Sequence, residues 1–597
     1  MESASASARR NAKRIDAWAL LFSVLVSGGA VCGTLVYERI YLGHASSSKF
    51  EALGYAAAFL VAAALLYFLA RFVFARFKDA VLAKRTLPEE GAMFGLSSLA
   101  GLKGHIVFLC LCWLPFLLVR FPGNLDIDTL WQLLQTHGMA APSNHHPWFD
   151  TLLFSLFWAI GDACGTHAVS IFLYAALQVA LTAFCLSVLL CYLSFLGIPK
   201  AHVRVCKLFL ALYPAIPLFA QTMAKDMLFA PLFVLFCVLF CETCRTRGRC
   251  ASSASFKAVF IAVCLLMMLA KKTGVYIAVL SFIPLLFICG KKLLPAVLVL
   301  LVVPLSLFLV WDKGAVPAMG VVQGSSAEMM SVPSQQTAFY LQRHQDEMSQ
   351  SDWETLRGVF NSPEELAQVC EAGRADATKS HWKSDSTTQQ KIDFGAWYLK
   401  AFVRHPQTFL LAALCLTLPI YSPDAQSEGD ESLVFYRDNL KSQDSSDTST
   451  EDTLLSWSSE GTQPAQVQEL VAGVCRLPLV AGISAGFNTC YQAVMNALSP
   501  LFSKCLFAWW IPLAVLALLF KTGRARNILA MLPFLVMLLT LIAGPICLPR
   551  YMAPFVYVAP LLYGLLFLEV VPKEAPRTAR HQPHAPGAAT DPMAGAA

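Results

Sequence analysis

The strongest constraint on this chain is the recurrence of long apolar runs with almost no charge inside them. A helix needs about 20 apolar residues to cross the roughly 30 Å hydrocarbon layer of a bilayer. Twelve stretches approach that length: 17–38, 54–75, 103–120, 168–197, 204–220, 226–243, 256–270, 275–290, 293–312, 503–520, 526–545 and 551–571. Hydrophobic residues make up 56% of the 597 positions and charged residues only 14%, against about 25% charged in a soluble domain. No soluble fold buries that much apolar surface, so the expected fold class is an all-α polytopic membrane protein with about twelve transmembrane helices.

Basic residues orient the spans. Arg9, Arg10, Lys13 and Arg14 precede a first run too long for a signal-peptide core and lacking a small-residue cleavage site, which reads as an uncleaved span with its basic flank in the cytoplasm. The loops bearing Arg76, Lys78, Lys84 and Arg85, then Lys200, Arg204 and Lys207, then Arg245, Arg247 and Arg249 then fall on the same side. So do Lys291 and Lys292, then Lys521, Arg524 and Arg526, and the tail with Lys573, Arg577 and Arg580. Short outer loops carry fewer cations, chiefly Arg39, Lys49, Lys225, Lys271, Lys272 and Arg550. The positive-inside bias and the even number of spans put both termini in the cytoplasm of a cell with this protein in its cytoplasmic membrane. The net charge of +6 thus reports topology; no nucleic-acid-binding motif is present and no nucleic-acid partner is expected.

Two apolar segments would invert this topology if they crossed. WFDTLLFSLFWAIG (148–161) and TFLLAALCLTLPIY (408–421) are therefore expected to be interfacial or re-entrant helices, with Asp150 kept in the wet zone. The resulting division is a cytoplasmic tail (1–16), a transmembrane core (17–312) with an outer loop at 121–167, an extracytoplasmic region (313–502), C-terminal transmembrane helices (503–571) and a disordered cytoplasmic tail (572–597). The extracytoplasmic region holds helix-like pieces at 351–373 and 388–404 and an acidic insert at 424–453, where SQDSSDTSTEDT has almost nothing to bury and should be mobile. Most of the 19 cysteines lie in apolar runs, where a thiol acts as a small hydrophobe. Cys241 and Cys244 have no second metal-ligand pair nearby, and whether Cys475 and Cys490 form a disulfide is open.

Chemistry is expected in the outer loop, where 120–150 reads RFPGNLDIDTLWQLLQTHGMAAPSNHHPWFD. Asp126 and Asp128, one residue apart, suit a shared divalent cation, or a base and its orienting partner; equally, Asn124 or Asp126 suits the cap of a helix over 129–137. His145 and His146 are held by Pro147 at the start of the next helix, as phosphate or metal ligands or as plain polar loop residues. Lys225-Asp226 lies in an outer turn after Pro214 and Pro217. Lys271-Lys272 runs against the orientation rule, a cost that points to gripping a lipid-linked phosphate. Arg550-Tyr551, after Pro549, places a guanidinium at the outer end of a span, suited to bidentate phosphate contact.

FPGNLDIDTLWQ, HHPW, a YP followed by KD, KTGVY and a late PRYMAP resemble the pattern of bacterial multi-pass proteins related to the GT-C glycosyltransferases, over most of 100–570. The resemblance implies a GT-C-like fold and transfer of a sugar from a polyprenyl-phosphate donor to a cell-envelope glycan, lipid or protein at the outer face, among membrane lipids. It implies Asp126 or Asp128 as base, His146 as the histidine of a His-Pro motif, and Lys225, Lys272 and Arg550 near the donor phosphate. His145 and Tyr551 complete the substrate-binding candidates, and a divalent cation is left open. Some related proteins have arginine where Lys272 stands, a better bidentate ligand, and the insert around 444–452 matches nothing in the pattern. A transporter or flippase of lipid-linked precursors is the alternative function, against which stand the few charges within the spans and the lack of paired repeat halves. A third alternative is a non-catalytic assembly partner.

Overall fold

The computed structural model describes residues 15–44, 49–83, 92–423, 450–471 and 478–570. The expected basic N-terminal flank, most of the acidic insert, the Cys475 pairing and the C-terminal tail lie outside the described residues.

Eight helices among them are long and apolar enough to cross a membrane: Ala17–Tyr41, Lys49–Leu82, Leu102–Val119, His167–Phe195, Lys225–Arg245, Leu294–Ala318, Ala525–Ile542 and Pro549–Phe567. The chain is an all-α membrane-embedded protein. Three further expected spans are shorter apolar helices, Ala254–Ala270, Thr273–Ile288 and Leu506–Lys521. The stretch expected at 204–220 is divided. Lys200–Leu212 ends at Tyr213, held extended (φ −73°, ψ 110°) by the proline that follows it, and Ala215–Ala220 resumes beyond.

Lys225–Arg245 is the axis of the bundle. Its most apolar window is 100% buried, whereas that of Leu102–Val119 is 11% buried. It packs against His167–Phe195, Ala254–Ala270 and Ala553–Gly564, and a helix apolar on every side has no other stable place in a bundle. On the periphery, Leu60, Leu65, Phe68, Leu69 and Phe72 of Lys49–Leu82 are exposed, a continuous apolar surface that lipid chains cover and water would not tolerate.

Both segments expected to be interfacial or re-entrant helices pack one side against neighbouring helices and leave another side open, with Leu156 and Leu410 exposed. The first runs Trp148–Cys164 and buries Trp148, Asp150, Thr151, Phe154, Trp158 and Gly161, largely against His167–Phe195. Asp150 is fully buried rather than in the wet zone. The second breaks into Pro406–Leu416 and Leu418–Tyr421 and buries Phe409, Ala412, Cys415 and Leu418 against Ser331–His344 and Ala17–Val36. Outside the bundle, Tyr340, Leu356, Phe360, Trp382, Phe394, Trp397 and Phe409 form a separate core. Its Thr388–Arg404 helix begins at the expected residue, with Thr387 and Gln390 forming a capping box. The helix expected over 351–373 stops at Val359, where Phe360 turns extended ahead of Ser362-Pro363. The last four residues of the insert expected to be mobile are helical, and Thr450–Trp457 and Pro464–Leu470 fold back so that Leu454, Val467 and Leu470 join Leu130, Leu133 and Leu134 of the 121–167 loop.

Gly123 makes the outer loop possible. Its φ is +144°, and a Cβ there would lie 3.0 Å from Ile171 Cγ2 and 3.1 Å from both Ala175 Cβ and the Gln221 carbonyl oxygen. Gly123→Ala should therefore destabilise the protein by about 1–3 kcal/mol, seen as a lower thermal midpoint in detergent. An unchanged midpoint would show that the loop relaxes freely.

Candidate functional site

The site is built on a two-residue parallel strand pair. Strand β1 (Asn124–Leu125) pairs with β2 (Thr222–Met223), Asn124 opposite Thr222 and Leu125 opposite Met223. Each strand feeds directly into a helix, Ile127–Thr136 and Lys225–Arg245, so the register sets two helix N-termini side by side. Thr129 Oγ1 donates to the Met223 carbonyl at 2.7 Å and locks the pair. Carboxylates are favoured at such ends by the helix dipole, and Asp126, Asp128 and Asp226 all sit there.

Arg550 closes the site from a 3₁₀ turn, Pro549–Met552. Its Nη1 donates to both Asp126 oxygens at 2.7 and 2.8 Å, its Nη2 to Asp128 Oδ2 at 2.7 Å, and its Nε lies 3.5 Å from Asp226 Oδ2. Lys225 Nζ donates to the same Asp128 oxygen at 3.1 Å and to His146 Nδ1 at 2.5 Å. Lys271 Nζ pairs with Asp226 Oδ1 at 2.5 Å and lies 4.5 Å from the centre of the Tyr551 ring. Lys272 donates to the Asn144 carbonyl, and Asn144 Nδ2 donates to Asp312 Oδ1 at 2.8 Å. Three carboxylates and three cations from four distant parts of the chain thus form one network.

Asp126 is the helix cap that the sequence allowed, accepting from the Asp128 N–H at 3.0 Å at the start of Ile127–Thr136, and it also holds Arg550, which the sequence did not signal. The guanidinium occupies the position between Asp126 and Asp128 that a shared divalent cation would need, so this donor set fits arginine rather than a metal.

A cavity of about 550 Å³ opens beside the network. Asp128, His145, His146, Lys225, Lys272, Arg550 and Tyr551 all line it; Asp126 does not, being fully buried behind Arg550. The facing wall brings Glu328, Arg374, Asp376, Lys379 and Trp457, and a third side is apolar, with Met537, Leu541, Ile546 and Leu548. Six cationic side chains (Lys225, Lys271, Lys272, Arg374, Lys379, Arg550) line it with three carboxylates (Asp128, Glu328, Asp376), and Asp126 and Asp226 stand behind as partners of Arg550 and Lys271, so six cations meet five carboxylates and the space suits an anion that also carries an apolar part. Lys271 belongs to the Lys271-Lys272 pair already singled out; nothing in the sequence signals Glu328, Arg374, Asp376, Lys379 or Trp457, which reach the cavity only through the packing of the 313–502 region.

Protonation follows from the surroundings. Burial would raise the Asp128 carboxyl, but the charges of Lys225 and Arg550 outweigh it and hold the group well below the ordinary carboxylate range. Burial, reinforced by Lys225, keeps His146 well below its usual value and hence neutral, and burial also lowers His145 and Lys272. Because Lys225 donates to His146 Nδ1, the imidazole proton belongs on Nε2.

Behind the site, Asp150 is fully buried and neither of its carboxyl oxygens has a hydrogen-bond partner among the described residues. Burial pushes it well above the usual range, so it is a neutral acid in the native protein and an anion when unfolded. Above about pH 3.9 the native state then holds a proton that the unfolded chain lacks, and this group's contribution to stability falls by about 1.4 kcal/mol per pH unit up to its native pKa. Asp150→Asn should flatten that slope and raise the thermal midpoint at neutral pH. Parallel midpoint–pH profiles for variant and wild type would contradict this.

A profile for a family described as of unknown function (DUF6020) matches residues 135–463, more than half of the chain. No curated protein and no solved structure matches it.

Proposed function

We propose that this chain, which belongs to the DUF6020 family, is a GT-C-like membrane glycosyltransferase of the cytoplasmic membrane. In this reading it has twelve spans with both termini in the cytoplasm, and its cavity faces outward. It moves a sugar, with inversion, from a polyprenyl-phosphate donor to a cell-envelope glycan, lipid or protein. The observation that carries the reading is one cavity combining an ionised carboxylate, a surplus of cations and an apolar wall.

The donor phosphate would lie against Lys225, Lys272 and Arg550, its prenyl chain along Met537, Leu541, Ile546 and Leu548. Trp131, His145, His146, Tyr551 and Trp457 would border the sugar and acceptor. The acceptor oxygen attacks the anomeric carbon, the bond from that carbon to the phosphate oxygen breaks, and the electron pair leaves with the polyprenyl phosphate. The acceptor proton passes to Asp128. A carboxylate pinned by two cations is a weak base, but donor phosphate competes for Lys225 and Arg550. Their turning toward it lifts the Asp128 pKa at the moment a base is needed. Asp126, walled off from the cavity, acts as the positioning residue for Arg550.

The transporter or flippase alternative requires ionisable groups along a path through the bilayer. Residues 227–241 of the central helix carry none; its charges gather at its two ends, where Glu242 and Arg245 form a separate buried pair at 2.8 Å.

The test is reconstitution into vesicles with a labelled polyprenyl-phosphate sugar. Labelled acceptor should form, and Lys272→Ala should weaken donor use about 10–100-fold by removing one charge-assisted contact. Transfer indifferent to Lys272, or donor crossing the bilayer without transfer, would count against the reading. A reporter fused at position 442 should appear outside the cytoplasm.

A further inference from the structure

A second cluster lies at the far end of Ser331–His344, a helix of 14 residues and so about 21 Å long, whose near end adjoins the Glu328 turn of the cavity. His344 ends that helix, Glu347 lies in the following 3₁₀ turn Gln345–Glu347, and His405 joins Thr388–Arg404 to Pro406–Leu416. One carboxylate faces both imidazoles: His344 Nδ1 is 2.9 Å from Glu347 Oε1 and His405 Nε2 is 3.0 Å from Oε2. The imidazole rings stack with centres 3.8 Å apart, and the ligand atoms of the three residues all lie within 4.8 Å of one another. His344 Nε2 is 3.0 Å from Thr408 Oγ1.

We propose that His344, Glu347 and His405 form a site for a first-row divalent metal ion, zinc above the others. The ion would be held by His344 Nδ1, His405 Nε2 and one Glu347 oxygen, with water in the fourth position.

Tetrahedral zinc with bonds of about 2.0–2.1 Å sets its donors about 3.3 Å apart; each histidine nitrogen already lies near that distance from a Glu347 oxygen, 2.9 Å from Oε1 and 3.0 Å from Oε2, and the ligand atoms all lie within 4.8 Å of one another. Two imidazole nitrogens favour zinc and its neighbours over magnesium or calcium, which prefer oxygen. The His344–Thr408 contact has the form of the outer hydrogen bond that fixes the tautomer of a metal-bound imidazole. Tyr340 and Phe409 of the outer core pack beside the cluster, Tyr340 with its ring centre 5.0 Å from His344 and 5.7 Å from His405. The donors are therefore gathered in one place, and binding would turn the stacked imidazoles so that both lone pairs point at the ion. The ion would tie the turn at Glu347 to a junction 58 residues away, a staple for this region that is independent of the cavity and of the activity assigned to it.

The test uses the full chain in detergent, without a polyhistidine tag, stripped by a chelator and titrated with Zn²⁺ alone. Wild type should take up one equivalent more than His405→Gln, and its thermal midpoint should rise with Zn²⁺ while that of the variant does not. Bound Co²⁺ should give the visible absorption of a tetrahedral site. Thr408→Val should weaken Zn²⁺ binding about 10–100-fold. Glu347 is 44% exposed, so Glu347→Gln is compatible with folding and should bind more weakly than either wild type or Thr408→Val. Equal uptake and equal affinity in wild type and Glu347→Gln would overturn the proposal, as would wild-type uptake no greater than that of His405→Gln.

Discussion

Asp128→Asn should leave the protein inserted and folded yet lower sugar transfer from a lipid-linked donor about 10²–10⁴-fold, the usual contribution of a positioned base. The carboxylate lines the cavity, and Arg550 and Lys225 share one of its oxygens at 2.7 and 3.1 Å. The amide keeps the shape but cannot accept the acceptor proton. It also competes less for those two cations, so the apparent donor affinity should hold or improve while turnover collapses. That split separates loss of a base from loss of a binding contact. Asp126→Asn should behave differently, because Asp126 holds Arg550 without touching the cavity; donor binding and turnover should fall together. Wild-type turnover by Asp128→Asn in vesicles would remove the catalytic assignment.

Arg550→Ala should destabilise the fold by about 3–5 kcal/mol, the cost of removing one partner from a buried ion network. Asp126 is fully buried with the guanidinium on both of its oxygens, and Asp226 is nearly so. Arg550→Lys keeps the charge but not the fork that reaches Asp126 and Asp128 together, so it should recover only part of the loss. Coupling Arg550→Ala with Asp126→Asn should cost less than the sum of the two changes, since the second removes the charge that the first strands. Unfolding at the wild-type midpoint by Arg550→Ala would mean that the network does not support the fold.

The helices are legible because a bilayer imposes a length on any helix that crosses it, and among the described residues eight of the expected stretches form single helices long and apolar enough to do so. The 204–220 run had the right composition but not the continuity, since Pro214 interrupts it. Segment 148–161 misled in another way. Its aspartate reads as a residue of the wet zone, whereas Asp150 is fully buried on the packed side of Trp148–Cys164, where burial raises its carboxyl. Hydropathy measures what a segment is made of, not which neighbours it finds, and a carboxyl that takes up a proton escapes the rule that charge stays wet. The polar candidates were found because ionisable groups at helix ends in so apolar a chain need a reason to be there. Glu328, Asp376 and Lys379 belong to an ordinary polar segment and gave no such signal.

From sequence alone it follows that this chain lives in a membrane and that Asp126, Asp128, His145, His146, Lys225, Lys272 and Arg550 stand at the ends of its helices. Tertiary structure alone decides that they meet, that Asp128 faces the cavity while Asp126 is sealed behind Arg550, and that an outer region supplies the facing wall. The reason is that a register of two paired residues and a contact across 424 positions depend on how helices pack, and packing leaves no periodic trace in the order of the residues.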